Sequence, residues 1–133
     1  MRIELLYFDG CPHYAPLERR LRSLLATAAV DARVVLREVR SQEEAERQRF
    51  LGSPTVRIDG RDVEPGADGR TDTGLKCRLY PGERGLRGAP DDDVLIEAIE
   101  RARSRRDTRR AHALPSRRYP AESAFATSPK RRR

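Results

Sequence analysis

"YFDGCPHYAPLERRLRSLL", residues 7–25, decides how the rest of the chain is read. It opens on the end of an apolar run, breaks at Asp9-Gly10, and sets Cys11 and Pro12 at the start of a helical pattern. Leu17, Leu21, Leu24, Leu25 and Ala28 recur at the spacing of one helix face, with arginines and Glu18 opposite. Pro12 suits a first helical turn, where its missing N–H costs nothing, so a helix is expected over residues 12–29. Upstream, residues 3–8, "IELLYF", read as a buried strand. A cysteine between strand and helix lies where unpaired N–H groups and the helix dipole favour negative charge. Cys11 therefore reads as a thiol enriched in thiolate. His13 would stabilise the thiolate when protonated, Tyr14 could donate a hydrogen bond to it, and Asp9 could orient a proton.

Outward from this stretch, residues 32–39, "ARVVLREV", form a β-branched strand. Ser41 and Glu44 make a capping box that opens a short helix to about Phe50. Residues 55–59, "TVRID", alternate as a half-buried strand and end on the turn signal Asp59-Gly60. Residues 61–74 are polar and turn-rich, and read as a surface loop insertion. Residues 75–80, "LKCRLY", read as a strand, 81–84 as a turn and 85–88 as a short returning strand. Leu95, Ala98, Ile99 and Ala102 mark one face of a last helix, with Asp92 and Asp93 at its positive end. The order β-α-β-α-β-β(-β)-α gives an α/β fold with one small mixed sheet and helices packed on its faces. The first two strands are expected to be parallel with a right-handed crossover, the later ones an antiparallel hairpin.

The chain has 133 residues, enough for one domain and one core. Only Lys76 and Lys130 of its 28 basic residues are lysines, a bias that fits a GC-rich genome better than chemistry at every arginine. Charge is uneven. Residues 103–133 hold 11 basic residues against Asp107 and Glu122, a local +9, whereas the remainder carries −2. The stretch from Arg103 lacks apolar period and cannot bury enough surface to offset its ordering entropy, so residues 103–133 are expected to be a disordered Arg-rich tail after a domain of residues 1–102. With Tyr119 and Phe125 as its only stacking groups, a solvated tail outweighs a nucleic-acid contact. No segment approaches the roughly 18 apolar residues of a membrane span, and the N-terminus is too short and too acidic for a signal peptide. A cytoplasmic monomer with reduced thiols is the expectation.

Taken together, "YFDGCPHY", "GSPTVRIDG", a late hairpin and a terminal helix resemble the thioredoxin-like superfamily over about residues 1–102. The stretches "FDGCP", "GSPT" and "CRLY" are also similar to a group of small actinobacterial thioredoxin-like proteins, some of them labelled alkylmercury lyase. The resemblance implies a nucleophile at Cys11, a cis proline at Pro54 facing it, and a binding groove formed by Ser53, Pro54 and Thr55. The backbone of Ser53 would pair there with a bound peptide or thiol compound. Tyr14 stands where the family's loop carries its second cysteine, so two-cysteine chemistry within the loop is excluded. Cys77 is the one other cysteine and becomes the candidate resolving thiol; an outside thiol would serve if it is remote.

The implied activity is thiol–disulfide oxidoreduction on a protein or small-molecule thiol or disulfide, with an external thiol reductant and no cofactor. Two other readings stand beside it. Cys11 and Cys77 could be soft-metal or organomercurial ligands, although no third close ligand supports a zinc site and His112 lies in the tail. The domain could also be a redox-silent interaction module.

Overall fold

The computed structural model describes residues 1–113. It is a mixed α/β fold with one small mixed sheet, a separate hairpin and three α-helices. The chain divides into two compact units, Met1–Arg103 and Ser104–Arg133.

In the first unit, β1 (Arg2–Tyr7) lies at the sheet's centre, and α1 (Tyr14–Thr27) leads to β2 (Arg33–Glu38). Then come α2 (Gln42–Arg47), β3 (Thr55–Ile58) and β4 (Arg61–Asp62). The strand order is β2-β1-β3-β4. β1 and β2 are parallel in register from Arg2↔Arg33 to Tyr7↔Glu38, while β3 runs antiparallel to β1 and β4 antiparallel to β3. β5 (Tyr80–Gly82) and β6 (Gly85–Arg87) form the separate hairpin, and α3 (Asp92–Ala113) closes the described chain.

Alternation along β1 sorts the helices. Ile3 and Leu5 meet Leu17, Leu21 and Leu25 of α1, Val56 and Ile58 of β3, and Leu95, Ala98, Ile99 and Ala102 of α3. Leu6 faces the other way, into a smaller cluster with Val39, Ala45 and Phe50 beside α2. At the start of α2, Ser41 Oγ accepts from Glu44 N–H at 3.0 Å and Glu44 returns a bond to Arg40 N–H at 2.9 Å. This is the capping geometry that the Ser41–Glu44 spacing encodes, shifted by one residue on the return bond.

The structure corrects four expectations. The first helix begins at Tyr14 with His13 as N-cap, so Pro12 stands before it and Pro16 takes the first-turn place. Residues 61–74 are not loop throughout: they open on β4 and include one 3-10 turn, Ala67–Gly69, with turns and irregular chain between and after. Asp59 and Gly60 both take positive φ, 50° and 85°, the two-residue turn that folds a chain straight back. Arg61–Asp62 therefore pairs with β3, and Val63 is fully buried in the main core. Residues 75–79 are not a strand of the sheet; an isolated parallel bridge, Ser53↔Cys77, ties them to the loop before β3, and Tyr80 starts the separate hairpin.

Finally, the helix expected to end at residue 102 runs to Ala113. The apolar period stops after Ala102 because nothing further is buried, but arginine and alanine remain good helix formers. Acids in the first turn and Arg110 and His112 in the last suit the helix dipole. In the second unit, residues 104–113 continue this helix and bury no side chain. The expectation of disorder for residues 114–133 lies outside the described residues. Among the described residues, no helix is long and apolar enough to cross a membrane.

Candidate functional site

The turn after β1 holds Cys11. Its N–H donates to Phe8 C=O at 3.2 Å, Gly10 takes φ 92° to make the bend, and the cysteine is 5% exposed. Because α1 starts at Tyr14, Cys11 sits ahead of the helix and not within its first turn. His13 caps through its backbone alone, and its exposed ring lies against Gly88, where an added Cβ would come within 2.6 Å of Nε2. Tyr14 stacks on Tyr7 with ring centres 3.9 Å apart and planes 12° from parallel. Partial burial, then the neighbouring Tyr14 and Glu38, raises the Tyr7 phenol above its ordinary pKa. Asp9 is exposed.

The loop before β3 faces this turn. The Ser53–Pro54 peptide bond is cis. Ser53 is buried, and its Oγ accepts from Phe8 N–H at 3.3 Å, the same residue whose carbonyl holds Cys11. Thr55 Oγ1 donates to Gly52 C=O at 2.7 Å. The backbone of Ser53, expected to be open to a bound peptide, is engaged by the chain itself. Ser53 N–H donates to Lys76 C=O at 2.8 Å, and Ser53 C=O accepts from Arg78 N–H at 3.0 Å. Ser53 thus joins the two cysteine-bearing segments, one through its side chain and one through its backbone. Cys11 and Cys77 are both free thiols, the first buried and the second exposed.

What fixes the Cys77 segment is a cluster that the sequence reading missed. Arg78 is 2% exposed. Its guanidinium binds Asp62 through two bonds of 2.8 and 2.9 Å, Glu64 at 2.9 Å and Thr55 Oγ1 at 3.0 Å. It also lies 4.4 Å from the centre of the Tyr80 ring. Burial works against its charge, but Asp62, then Glu64, outweigh that and hold Arg78 protonated. The Tyr80 hydroxyl donates to Pro54 C=O at 2.6 Å. Polar residues in 61–74 pointed to solvent exposure, yet Asp62 and Glu64, two apart on one side of the chain, meet an arginine beyond the loop. The alternation of Cys77, Arg78, Leu79 and Tyr80 was a signal that could have placed Arg78 and Tyr80 together on the inner face.

Burial raises the Tyr80 pKa well above the ordinary 10.0. The unfolded chain loses this proton near pH 10 while the folded one keeps it, so stability is fully present below pH 10 and falls as pH rises beyond it. The expected limb is at most about 1.4 kcal/mol per pH unit. Urea midpoints measured between pH 8 and 11 should show it, and Tyr80→Phe should flatten it.

Two surface hollows lie elsewhere. One of about 370 Å³ is lined by Arg20, Glu83, Arg84, Arg87 and Asp91–Asp93, the other, of about 230 Å³, by residues including Arg49, Arg57, Asp62 and Arg70; neither is lined by a cysteine. Among the described residues, no group of three or more His, Cys, Asp or Glu side chains is placed to hold a metal ion. His112 lies in the last turn of α3. Set beside known proteins, the chain matches no family model, no curated protein and no solved structure.

Proposed function

We propose that the chain is a thioredoxin-like thiol–disulfide oxidoreductase whose redox pair is Cys11 and Cys77. The observation that carries this reading is the position of Ser53, which binds the Cys11 turn through Oγ and the Cys77 segment through both backbone groups. The strand order β2-β1-β3-β4, with Cys11 between β1 and α1, supports the same architecture. The pair shuttles between a dithiol and an intramolecular disulfide. One thiolate attacks a substrate disulfide and expels a thiolate; the second attacks the resulting mixed disulfide and expels the other. The substrate gains two electrons and two protons, and the protein is left oxidised until an outside thiol reduces it. A cytoplasmic setting and a monomeric state belong to this proposal.

Mass spectrometry of the full chain after mild oxidation, with alkylation before and after reduction, tests the pair. A disulfide needs Cα atoms within about 7 Å. The expected product is a monomer with a Cys11–Cys77 crosslink that disappears on reduction. Two alkylatable thiols after oxidation would remove the two-cysteine mechanism. Cys11→Ser and Cys77→Ser should each abolish turnover of a disulfide substrate.

A further inference from the structure

Residues 104–113, "SRRDTRRAHA", keep helical order in the second unit without burying a side chain, and their charges are sorted by side. At 3.6 residues per turn, Arg105, Arg106, Arg109 and Arg110 fall within one arc of about 140°. Arg106, Arg109 and Arg110 are exposed and Arg105 is half-buried. Ser104, Asp107, Thr108 and Ala111 take the opposite side, so the one acid of the segment faces away from the four arginines. The chain's bias toward arginine accounts for how many there are, but not for their lying together. Arg105 with Arg109, and Arg106 with Arg110, are like charges one turn apart, a spacing that weakens a helix. The segment accepts that local cost and holds its positive charge in one band.

We propose that this arginine face binds the phosphate backbone of double-stranded DNA without base specificity. A solvated tail was the expectation from sequence; helical order with a one-sided charge band reverses that balance. Guanidinium groups pair with phosphate through two parallel hydrogen bonds, which suits a row of arginines to a row of phosphates. Other polyanions fit less well. Residues 104–113 carry no Phe, Tyr or Trp on which the unpaired bases of a single strand would stack. Their only apolar residues are Ala111 and Ala113, so the helix has no apolar face to enter a lipid surface. A helix about 10–12 Å across enters the B-form major groove, about 12 Å wide, whereas the A-form groove of RNA is too deep and narrow. The sequence beyond adds charge of the same sign: residues 114–133 carry Arg117, Arg118, Lys130, Arg131, Arg132 and Arg133 against Glu122. Both cysteines lie in the first unit, so this inference stands apart from the thiol-pair reading.

The probe is a fluorescently labelled DNA duplex of arbitrary sequence and about two helical turns, titrated with the full chain between about 50 and 200 mM salt and read by anisotropy. Binding is expected at low salt, with affinity falling steeply as salt rises. A variant with Arg105→Gln, Arg106→Gln, Arg109→Gln and Arg110→Gln should raise Kd about tenfold or more. It should also make the slope of log K against log salt shallower by about 3–4, one phosphate contact for each arginine lost. A second variant keeps composition and net charge but spreads the arginines round the helix: Arg106→Thr, Thr108→Arg, Arg109→Ala and Ala111→Arg. It should lose about two units of slope, because two of the four contacts turn away from the duplex. None of the substituted residues is fully buried, so both variants retain the fold. Equal affinity of the unmodified protein and the rearranged variant would overturn the arginine face. A full chain that leaves the duplex unbound at about 50 mM salt would overturn the site itself. Tighter binding to a single strand of the same length, to double-stranded RNA or to phosphatidylserine vesicles would overturn the choice of DNA.

Discussion

Arg78→Met is expected to destabilise the fold by about 3–5 kcal/mol, because it takes the buried guanidinium from Asp62 and leaves Glu64 with Arg70, 3.5 Å away, as its remaining ion pair. Asp62 is 5% exposed at its side chain and Glu64 20%, so neither is rescued by water in full. The substitution also removes the contact over Tyr80 and a donor to Thr55. Against a total stability of about 5–15 kcal/mol for a domain this size, the urea midpoint should fall by a large fraction. The triple variant Arg78→Met, Asp62→Leu and Glu64→Met separates two accounts of that loss. If the loss comes from uncompensated charge, the triple variant should recover much of it, since a buried ion pair exchanged whole for apolar residues is often neutral. If the triple variant is as weak as Arg78→Met, the network's shape matters more than its charge.

The same cluster explains where the sequence could be read and where it could not. β1, α1, β2 and α2 follow from local signals: an apolar run, a helical period, β-branched residues and the Ser41–Glu44 cap. Each reports its own burial or its own hydrogen bonds, and the observed elements stand at those places. The second half depends on pairings between segments. Asp62 and Glu64 look solvated until Arg78 is placed beside them, and Arg78 looks like one of many surface arginines until they are. The Asp59-Gly60 turn was legible, but its consequence for β4 needed the recognition that two positive φ angles return the chain at once. Burial alone could not mark the end of α3, because a charged helix can continue after its last buried residue, Ala102.

The candidate site divides along the same line. Cys11 could be located between strand and helix from sequence, though the helix starts two residues later than the pattern suggests. The position of Cys77 could not, since it follows from one residue, Ser53, bonded to both neighbours of the cysteine. No periodicity encodes that bridge. Its local condition is a glycine.

Gly52→Ala is therefore the second large expected effect, and it acts on the site directly. Gly52 has φ 123°, a conformation that L side chains rarely adopt, and a Cβ there would lie 2.9 Å from Arg78 Cβ and 3.0 Å from Lys76 C=O. The backbone strain alone costs about 1–3 kcal/mol, and forcing extra volume into a packed contact costs about as much again. Movement of Ser53 is restrained by its bond to Phe8, and movement of Arg78 by Asp62 and Glu64. The readiest relief is to part residues 76–78 from Ser53, breaking the two backbone bonds that tie the Cys77 segment to it. Gly60→Ala supplies the comparison: it also has positive φ, 85°, but a Cβ there meets nothing within 4 Å. Gly52→Ala should lower the urea midpoint well beyond Gly60→Ala and should also reduce the yield of Cys11–Cys77 disulfide after mild oxidation. Gly60→Ala should leave that yield unchanged. If Gly52→Ala were destabilised yet formed the disulfide in full, the proposed thiol pair would not depend on the Ser53 bridge.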